Sequence, residues 1–240
     1  MNDLVGLVLA AHGGLERWNE LNHLRAHASI TGATWALKGK PDVLRNVDIQ
    51  ADTHRERVIT EFPGKNKRSI FEPQRIVLET EDGRQLDSRD NPKGSFAGHT
   101  VETPWDDIHV AYFSGEALWT YFTFPFLLTV PGVVTEEVTP WQENEEQWRR
   151  LQIRYPESIE THNRLATAYF DKNGLLRRYD YSVDILGAGN MAANYPSDYR
   201  TVDGIAVPMK RRVYRRDANH HPIQQPVLIA IDVSEMAFRT

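Results

Sequence analysis

The 240-residue sequence contains no cysteine, little excess charge of either sign and no long apolar run. Without cysteine, the chain has no disulfide, no thiolate nucleophile and no cysteine-ligated zinc or iron–sulfur cluster. Its 28 basic and 33 acidic side chains give a formal net charge of −5, which is unsuited to binding duplex nucleic acid. The longest apolar stretch, residues 4–11, is far shorter than the ~20 residues that span a bilayer. We therefore predict no nucleic-acid partner and no stable membrane insertion.

The start of the chain, Met1-Asn2-Asp3, is acidic, whereas a secretory signal peptide starts with a basic segment. We therefore expect a cytoplasmic protein, with a trimmed form of an exported protein as the alternative. Apolar residues behind this start follow the helical spacing i, i+3, i+4, i+7: Leu4, Leu7, Val8 and Ala11. The spacing predicts N-terminal helices within residues 1–22.

Most of the chain after residue 22 alternates apolar and polar residues, as half-buried strands do. The pattern is clearest in residues 24–31. Pairs such as Asp82-Gly83, Asn173-Gly174 and Asp203-Gly204 separate neighbouring strands and favour short hairpins. No linker divides the sequence, so we predict one domain over residues 1–240. Its fold class is mainly β (α+β), with a single large antiparallel sheet that must curl into an unclosed barrel.

Residues 103–128 interrupt the alternation with a dense run of aromatic side chains. Thr103-Pro104-Trp105-Asp106 has the composition of a helix start, with a capping residue, a proline and an acid. Eight aromatic side chains lie between Trp105 and Phe126, which is too many for a surface helix. We expect residues 103–128, the aromatic plug, to pack as helix in the concave face of the sheet.

Three stretches resemble a family of bacterial proteins of mostly unassigned function. They are residues 11–18 (AHGGLERW), residues 111–122 (AYFSGEALWTYF) and residues 169–214, which include GLLRRYDY and VDGIAVP. The family's proposed fold is similar to that of outer-membrane lipoprotein carriers and receptors (LolA/LolB-like). The resemblance implies an unclosed barrel of about eleven strands, with helices as a lid over an apolar cavity.

The aromatic plug provides the candidate ligand-binding residues, because small-molecule pockets are mostly apolar with a few polar groups. Plain core packing is the alternative for the same side chains. The candidates, which include two tyrosines of the C-terminal strands, are Trp105, Tyr112, Phe113, Trp119, Phe122, Phe124, Phe126, Tyr179 and Tyr199.

Three candidate catalytic residues, Asp106, Asp107 and His109, lie beside the plug. Asp106 and His109 are three residues apart and share one face of a helix. An imidazole held by a carboxylate next to an apolar cavity is a suitable general base near neutral pH. The alternative is that Asp106 caps the helix while His109 packs.

Four further candidate catalytic residues, Asp180, Tyr181, Asp198 and Arg200, lie on two neighbouring predicted strands. Alternation places Asp180 and Tyr181 on opposite faces of their strand. If Asp180 faces Arg200 inside the barrel, the pair could orient a ligand, and a phenol or carboxylate could exchange a proton with it. The alternative is cross-strand ion pairing on the sheet surface.

No sequence motif indicates a metal or a cofactor. The nine histidines include no His-Glu-x-x-His motif, and the glycine pairs do not form a dinucleotide-binding fingerprint. A Gly-x-Ser-x-Gly nucleophile elbow is also missing. We therefore expect no metal site and no cofactor.

Two functions fit these features. The first is binding of an apolar or aromatic small molecule, either a lipid or a pathway intermediate, in the half-barrel cavity. The alternative is a cofactor-independent enzyme, an isomerase, cyclase or lyase/hydratase, which uses the same cavity for acid–base chemistry. Exposed sheet edges would allow a homodimer.

Overall fold

The computed structural model describes residues 3–187 and 189–240, so Met1, Asn2 and Ala188 of the predicted domain lie outside the described residues. Four α-helices occur within those residues: α1 (Asp3–Ala11), α2 (Leu15–Asn19), α3 (Ala33–Leu37) and α4 (Asp107–Thr123). Short 3₁₀ helices span Pro92–Phe96, Phe126–Thr129 and Asp184–Leu186. No helix of the described residues has the length and apolar character needed to cross a membrane.

The strands form one sheet, and all their pairings are antiparallel. Its members are β1 (His23–Thr31), β2 (Leu44–Asp52), β3 (Val58–Glu61), β4 (Arg68–Glu72), β5 (Arg75–Glu79), β6 (Gln85–Asp90), β7 (Val134–Glu143), β8 (Glu146–Arg154), β9 (Leu165–Phe170), β10 (Leu176–Ser182), β11 (Met191–Val202), β12 (Ile205–Arg216), β13 (Pro222–Ile223) and β14 (Ile229–Arg239).

The order of the strands shows how the two halves of the chain combine. Strands β1 to β6 form one meander, β7 to β12 form most of a second, and β1 joins the two halves by pairing with β14. The full order is β6-β5-β4-β3-β2-β1-β14-β12-β11-β10-β9-β8-β7, with β13 beside β12. Strands β6 and β7 end the sheet and do not pair with each other. The predicted single antiparallel, unclosed sheet is confirmed.

The number of strands differs from the expected eleven, because the described residues contain 14. Strand β7 is an edge strand whose residues are partly or fully exposed along its whole length, so it lacks the alternation that marks a half-buried strand. Strand β13 has only two residues. The expected count came from the resemblance to lipoprotein carriers, and neither strand carries an apolar alternation that would have added it to that count.

Helix α4 lies inside the curve of the sheet and is buried from Ile108 to Thr123. It packs against β3, β4 and β5. The contact is close because the helix has a glycine there: a Cβ atom on Gly115 would lie 2.4 Å from Cβ of Phe71. A 17-residue helix is thus surrounded by protein, in the position expected for the aromatic plug.

Candidate functional site

Two internal hollows lie between α4 and the sheet. They share the lining residues Ala117, Tyr121, His162 and Tyr181. Their free volumes are about 10 and 20 Å³, which is room for about one water molecule each. A typical small-molecule site has roughly 300 Å³ or more. The space inside the described half-barrel is therefore nearly filled by the protein's own side chains.

Larger depressions lie on the outside of the molecule. One of about 410 Å³ is lined mainly by polar and aromatic side chains, among them Glu143, Arg177 and Arg212. Another of about 340 Å³ includes Asp48, Glu61 and Glu235 in its wall. Charged walls of this kind do not suit an apolar ligand, so the internal hollows remain the better candidate despite their small volume.

A carboxylate and an imidazole meet at the hollows. Glu116 is 2% exposed in the middle of α4, and its Oε2 lies 2.6 Å from Nδ1 of His162 in the loop between β8 and β9. The contact has the length of a hydrogen bond but not its direction, since Nδ1 has no hydrogen-bond partner in the described residues. The His162 ring stacks on Phe113 at 4.7 Å between centroids. This pair has the chemistry of a general acid–base group in an apolar interior.

Four buried tyrosines form two hydroxyl pairs along one side of the site. The hydroxyls of Tyr121 and Tyr181 are 2.5 Å apart, and those of Tyr155 and Tyr179 are 2.9 Å apart. Burial raises the pKa of Tyr121 to about 12, so its phenol stays neutral at physiological pH. The site thus presents neutral hydrogen-bonding groups among apolar walls.

A buried arginine completes the polar part of the interior. Arg211 of β12 is 5% exposed, and its Nη2 donates a 2.9 Å hydrogen bond to the carbonyl oxygen of Tyr121. Its guanidinium carbon lies 4.7 Å from the centre of the Tyr121 ring. Residues that could hold a metal ion are not grouped anywhere in the described part of the chain.

No protein-family model and no curated protein matches this sequence. Solved structures do match. A DUF1329 family protein from Desulfovibrio piger has a TM-score of 0.57 at 10% identity, over 99% of this chain and 92% of that one. A LolA superfamily protein from Nitrosomonas europaea has a TM-score of 0.50 at 11% identity, over 94% and 92%. This chain has a LolA-like fold.

A third match is a domain from Vibrio parahaemolyticus named for outer membrane lipoprotein sorting, with a TM-score of 0.52 at 9% identity, over 100% of this chain and 94% of that one. At such identities the likeness establishes the LolA-like fold alone. The neighbours give no support to the cytoplasmic location expected from the sequence.

The first group of predicted catalytic residues lies at the start of α4 in this LolA-like fold, away from the hollows. Asp106 accepts a 2.8 Å hydrogen bond from the backbone N–H of His109, and Nδ1 of His109 accepts one from the backbone N–H of Asp106. Asp106 also accepts from Arg89 at 2.7 Å, and Asp107 accepts from Lys40 at 2.7 Å. This geometry is the capping arrangement, in which the carboxylates bind the helix start and its neighbouring cations.

The second group is divided between surfaces. Asp180 lies on the sheet face opposite Tyr181 and is bound by Arg178, with Nε–Oδ1 at 2.6 Å and Nη2–Oδ2 at 2.8 Å. Arg200 is exposed and reaches Asp198 at 3.3 Å. The expected pairing of Asp180 with Arg200 is therefore wrong. The carboxylate of Asp180 is instead bound by Arg178, which lies two residues away on the same face of β10. Tyr181 alone of this group lines a hollow.

The predicted ligand-binding aromatics are also divided. Phe113 and Tyr179 line the hollows. Others have packing partners elsewhere: Trp119 donates to the carbonyl of Asp52 at 2.9 Å, and Phe126 stacks on Trp18 at 4.3 Å. The predicted residues that do not line a hollow are Trp105, Tyr112, Trp119, Phe122, Phe124, Phe126 and Tyr199.

The predicted site residues do not include Glu116, Tyr121, His162 and Arg211. Glu116 carries a usable signal, since it is the one acidic residue in an otherwise apolar and hydroxyl-bearing stretch of α4 after its first turn. Arg211 carries another, because it occupies an apolar position in the alternation of Val207, Met209 and Val213. Nothing in the sequence around His162 distinguishes this histidine from the other eight.

Proposed function

We propose that this protein binds an apolar small molecule, a lipid or an aromatic intermediate, between α4 and the concave face of the sheet. The observation that carries the proposal is the pair of hollows at Ala117, where the smallest side chain of the wall faces aromatic and aliphatic neighbours. Their free volume is too small for such a ligand, so binding requires α4 or the loop over it to move.

The loop between β8 and β9, residues 155–164, is the segment best placed to move. Its residue His162 lines both hollows, so displacement of this loop would join them into one space. The loop is held at its far side by a hydrogen bond from the backbone N–H of Glu160 to Oε1 of Glu56 at 2.8 Å, and by the ion pair of Glu160 with Lys93. These polar contacts can exchange with water at modest net cost.

Fluorescence titration with the neutral probe N-phenyl-1-naphthylamine tests the proposal. Ala117→Leu fills the hollows, and we expect it to weaken probe binding by about tenfold or more, which is about 1.4 kcal/mol of binding free energy. The matched control is Ala36→Leu at an exposed position of α3, which we expect to bind like the unaltered protein. Overpacking at Ala117 costs about 1–3 kcal/mol of folding stability. Thermal melts are therefore needed to establish that both variants fold. Absence of probe binding, or equal binding by all three proteins, would contradict the proposal.

The contact of His162 with Glu116 favours a second candidate function, cofactor-independent acid–base catalysis on a ligand in the same place. In this proposal His162 transfers the proton, Glu116 orients the imidazole and the Tyr181 phenol donates a hydrogen bond to the substrate. Such groups suit an isomerase, a cyclase or a lyase/hydratase. A homodimer through the β6 or β7 edge, and the lack of a nucleic-acid partner, stay predictions.

A further inference from the structure

Arg211 is a buried cation without a counter-ion. Among the described residues, no carboxylate oxygen lies within 4.0 Å of its guanidinium nitrogens. Its titratable neighbours are neutral tyrosine phenols, and burial lowers the pKa of the guanidinium. A buried charge without a counter-ion lowers the free energy of unfolding, so Arg211 costs the protein stability.

Among the described residues, the one hydrogen bond of the Arg211 side chain joins it to the helix that closes the interior. Tyr121 is in the last turn of α4, where carbonyl oxygens have no partner within the helix and carry the negative end of its dipole. The bond caps α4 and places the partial negative charge of this carbonyl oxygen beside the guanidinium. A ligand that displaces α4 removes this partner and exposes the cation to the ligand.

A second buried polar group next to Arg211 is only weakly satisfied. Asn194 of β11 is 0% exposed, its amide atoms make no hydrogen bond of standard geometry among the described residues, and it interacts with the Tyr121 phenol, whose pKa it lowers. In the β11–β12 pairing, Asn194 lies opposite Val213 and Pro196 lies opposite Arg211. Because alternate residues of a strand share a face, Asn194 and Arg211 point into the same interior from adjacent strands.

The imidazole of His12 close to Arg211 is a further neutral group, since an imidazole carries either no charge or a positive one and cannot be a counter-ion for a cation. Burial, together with the positive charge of Arg211, lowers the pKa of His12 to about 4, so the ring is neutral at pH 7. Its Nε2 is buried and has no hydrogen-bond partner among the described residues. Arg211 is thus surrounded by neutral hydrogen-bonding groups.

We propose that Arg211 and Asn194 bind the anionic head group, carboxylate or phosphate, of an amphiphilic ligand whose apolar body lies at Ala117. Tyr121 connects the two places, because its side chain lines the hollows while its carbonyl binds Arg211. The planar fork of arginine matches the oxygens of either anion, and the anion supplies the counter-charge that the protein lacks. This inference rests on the proposed function.

The test compares two probes with the same apolar body and either a charged or a neutral head, 11-(dansylamino)undecanoic acid and its methyl ester. We expect the unaltered protein to bind the acid about tenfold more tightly than the ester. Arg211→Met should abolish this preference and leave the affinity for the ester in place. Asn194→Leu should reduce the preference, and it keeps the inference testable if Arg211→Met does not fold. The control is Arg212→Met, whose side chain lies on the other face of β12 and pairs with Asp232 at 2.7 Å. It should retain the full preference.

The outcomes separate the head-group site from the binding site as a whole. If neither probe binds, both proposals fail. If acid and ester bind equally to the unaltered protein, or if Arg211→Met keeps the preference, apolar binding stands and the head-group site is refuted. Arg211 is then only a cap for α4. Competition of decanoate and of decyl phosphate against the bound acid identifies the preferred anion.

Discussion

Glu116 and His162 are the side chains on which any acid–base chemistry in this interior depends. Their atoms are 2.6 Å apart in surroundings that exclude water. A carboxylate and an imidazole in this position cost stability unless they are satisfied, which suggests that their retention serves a function.

Substitution of these two residues distinguishes catalysis from binding. If the protein turns over a hydrophobic substrate, His162→Ala and Glu116→Gln should each lower kcat by about 10²-fold or more, the usual contribution of a general acid–base group. Both variants should still bind N-phenyl-1-naphthylamine. The matched control is His109→Ala, since His109 caps α4 away from the hollows and should leave kcat unchanged. A turnover that survives the loss of His162 would refute this assignment.

Single residues were the hardest level to predict from the sequence. Polar groups at the start of α4 were predicted to be catalytic because their spacing is helical, yet the same spacing also produces a capping box. Asp180 and Arg200 were predicted to face each other from neighbouring strands inside the barrel. Instead, Arg178 binds the carboxylate of Asp180 on the sheet face opposite Tyr181. Spacing indicates which residues share a face of one element. It does not indicate which loop, such as that of His162, closes over them.

The loop of residues 155–164 is the element that separates the two hollows from each other and from solvent. Glu56 accepts the hydrogen bond that holds this loop. Burial, together with the nearby carboxylate of Glu160, raises the pKa of Glu56 to about 8. The folded protein therefore retains a proton on Glu56 that the unfolded chain loses near pH 4.5.

Linkage of this proton to folding predicts a pH dependence. Because the pKa is higher in the folded state, the unfolded state binds fewer protons, and the free energy of unfolding falls as pH rises from about 4.5 to about 8. Urea midpoints at pH 5 and pH 8 should show this loss, and Glu56→Gln should reduce it. The control is Glu157→Gln, at an exposed position of the same loop. Equal pH slopes for the unaltered protein and Glu56→Gln would contradict the assignment.

Elements with a buried face were predictable, and elements without one were not. Strand β1 alternates buried and exposed residues as its sequence does, and the aromatic density of residues 103–128 corresponds to the buried helix α4. Strand β7 is exposed on both faces, so its sequence does not show the alternation of apolar and polar residues that predicts a strand. Leu7 of α1, expected in the apolar stripe, is 37% exposed, because the helix buries Val5 and Leu9 in addition to Leu4 and Val8.

At the scale of the whole molecule, topology accounts for the interior. A 13-strand path that leaves β6 and β7 unpaired forms a curved sheet, and α4 fills its concave side. The single curved antiparallel sheet follows from alternating sequence and hairpin turns, which is why the sequence predicts it. Its LolA-like form was expected from the family resemblance alone. The number of strands and the free volume depend on side-chain packing, which the sequence pattern does not determine. The single domain over residues 1–240 stays a prediction.

The location of the ligand is the central claim, and amide hydrogen exchange with and without saturating N-phenyl-1-naphthylamine tests it most directly. We predict that the probe changes exchange in α4, residues 107–123, and in the loop of residues 155–164, because these segments must move for a ligand to reach Ala117. The exposed edge strand β7 should be unaffected. A bound probe that alters exchange only around the outer depressions of β1 or β11, with α4 unchanged, would contradict the account.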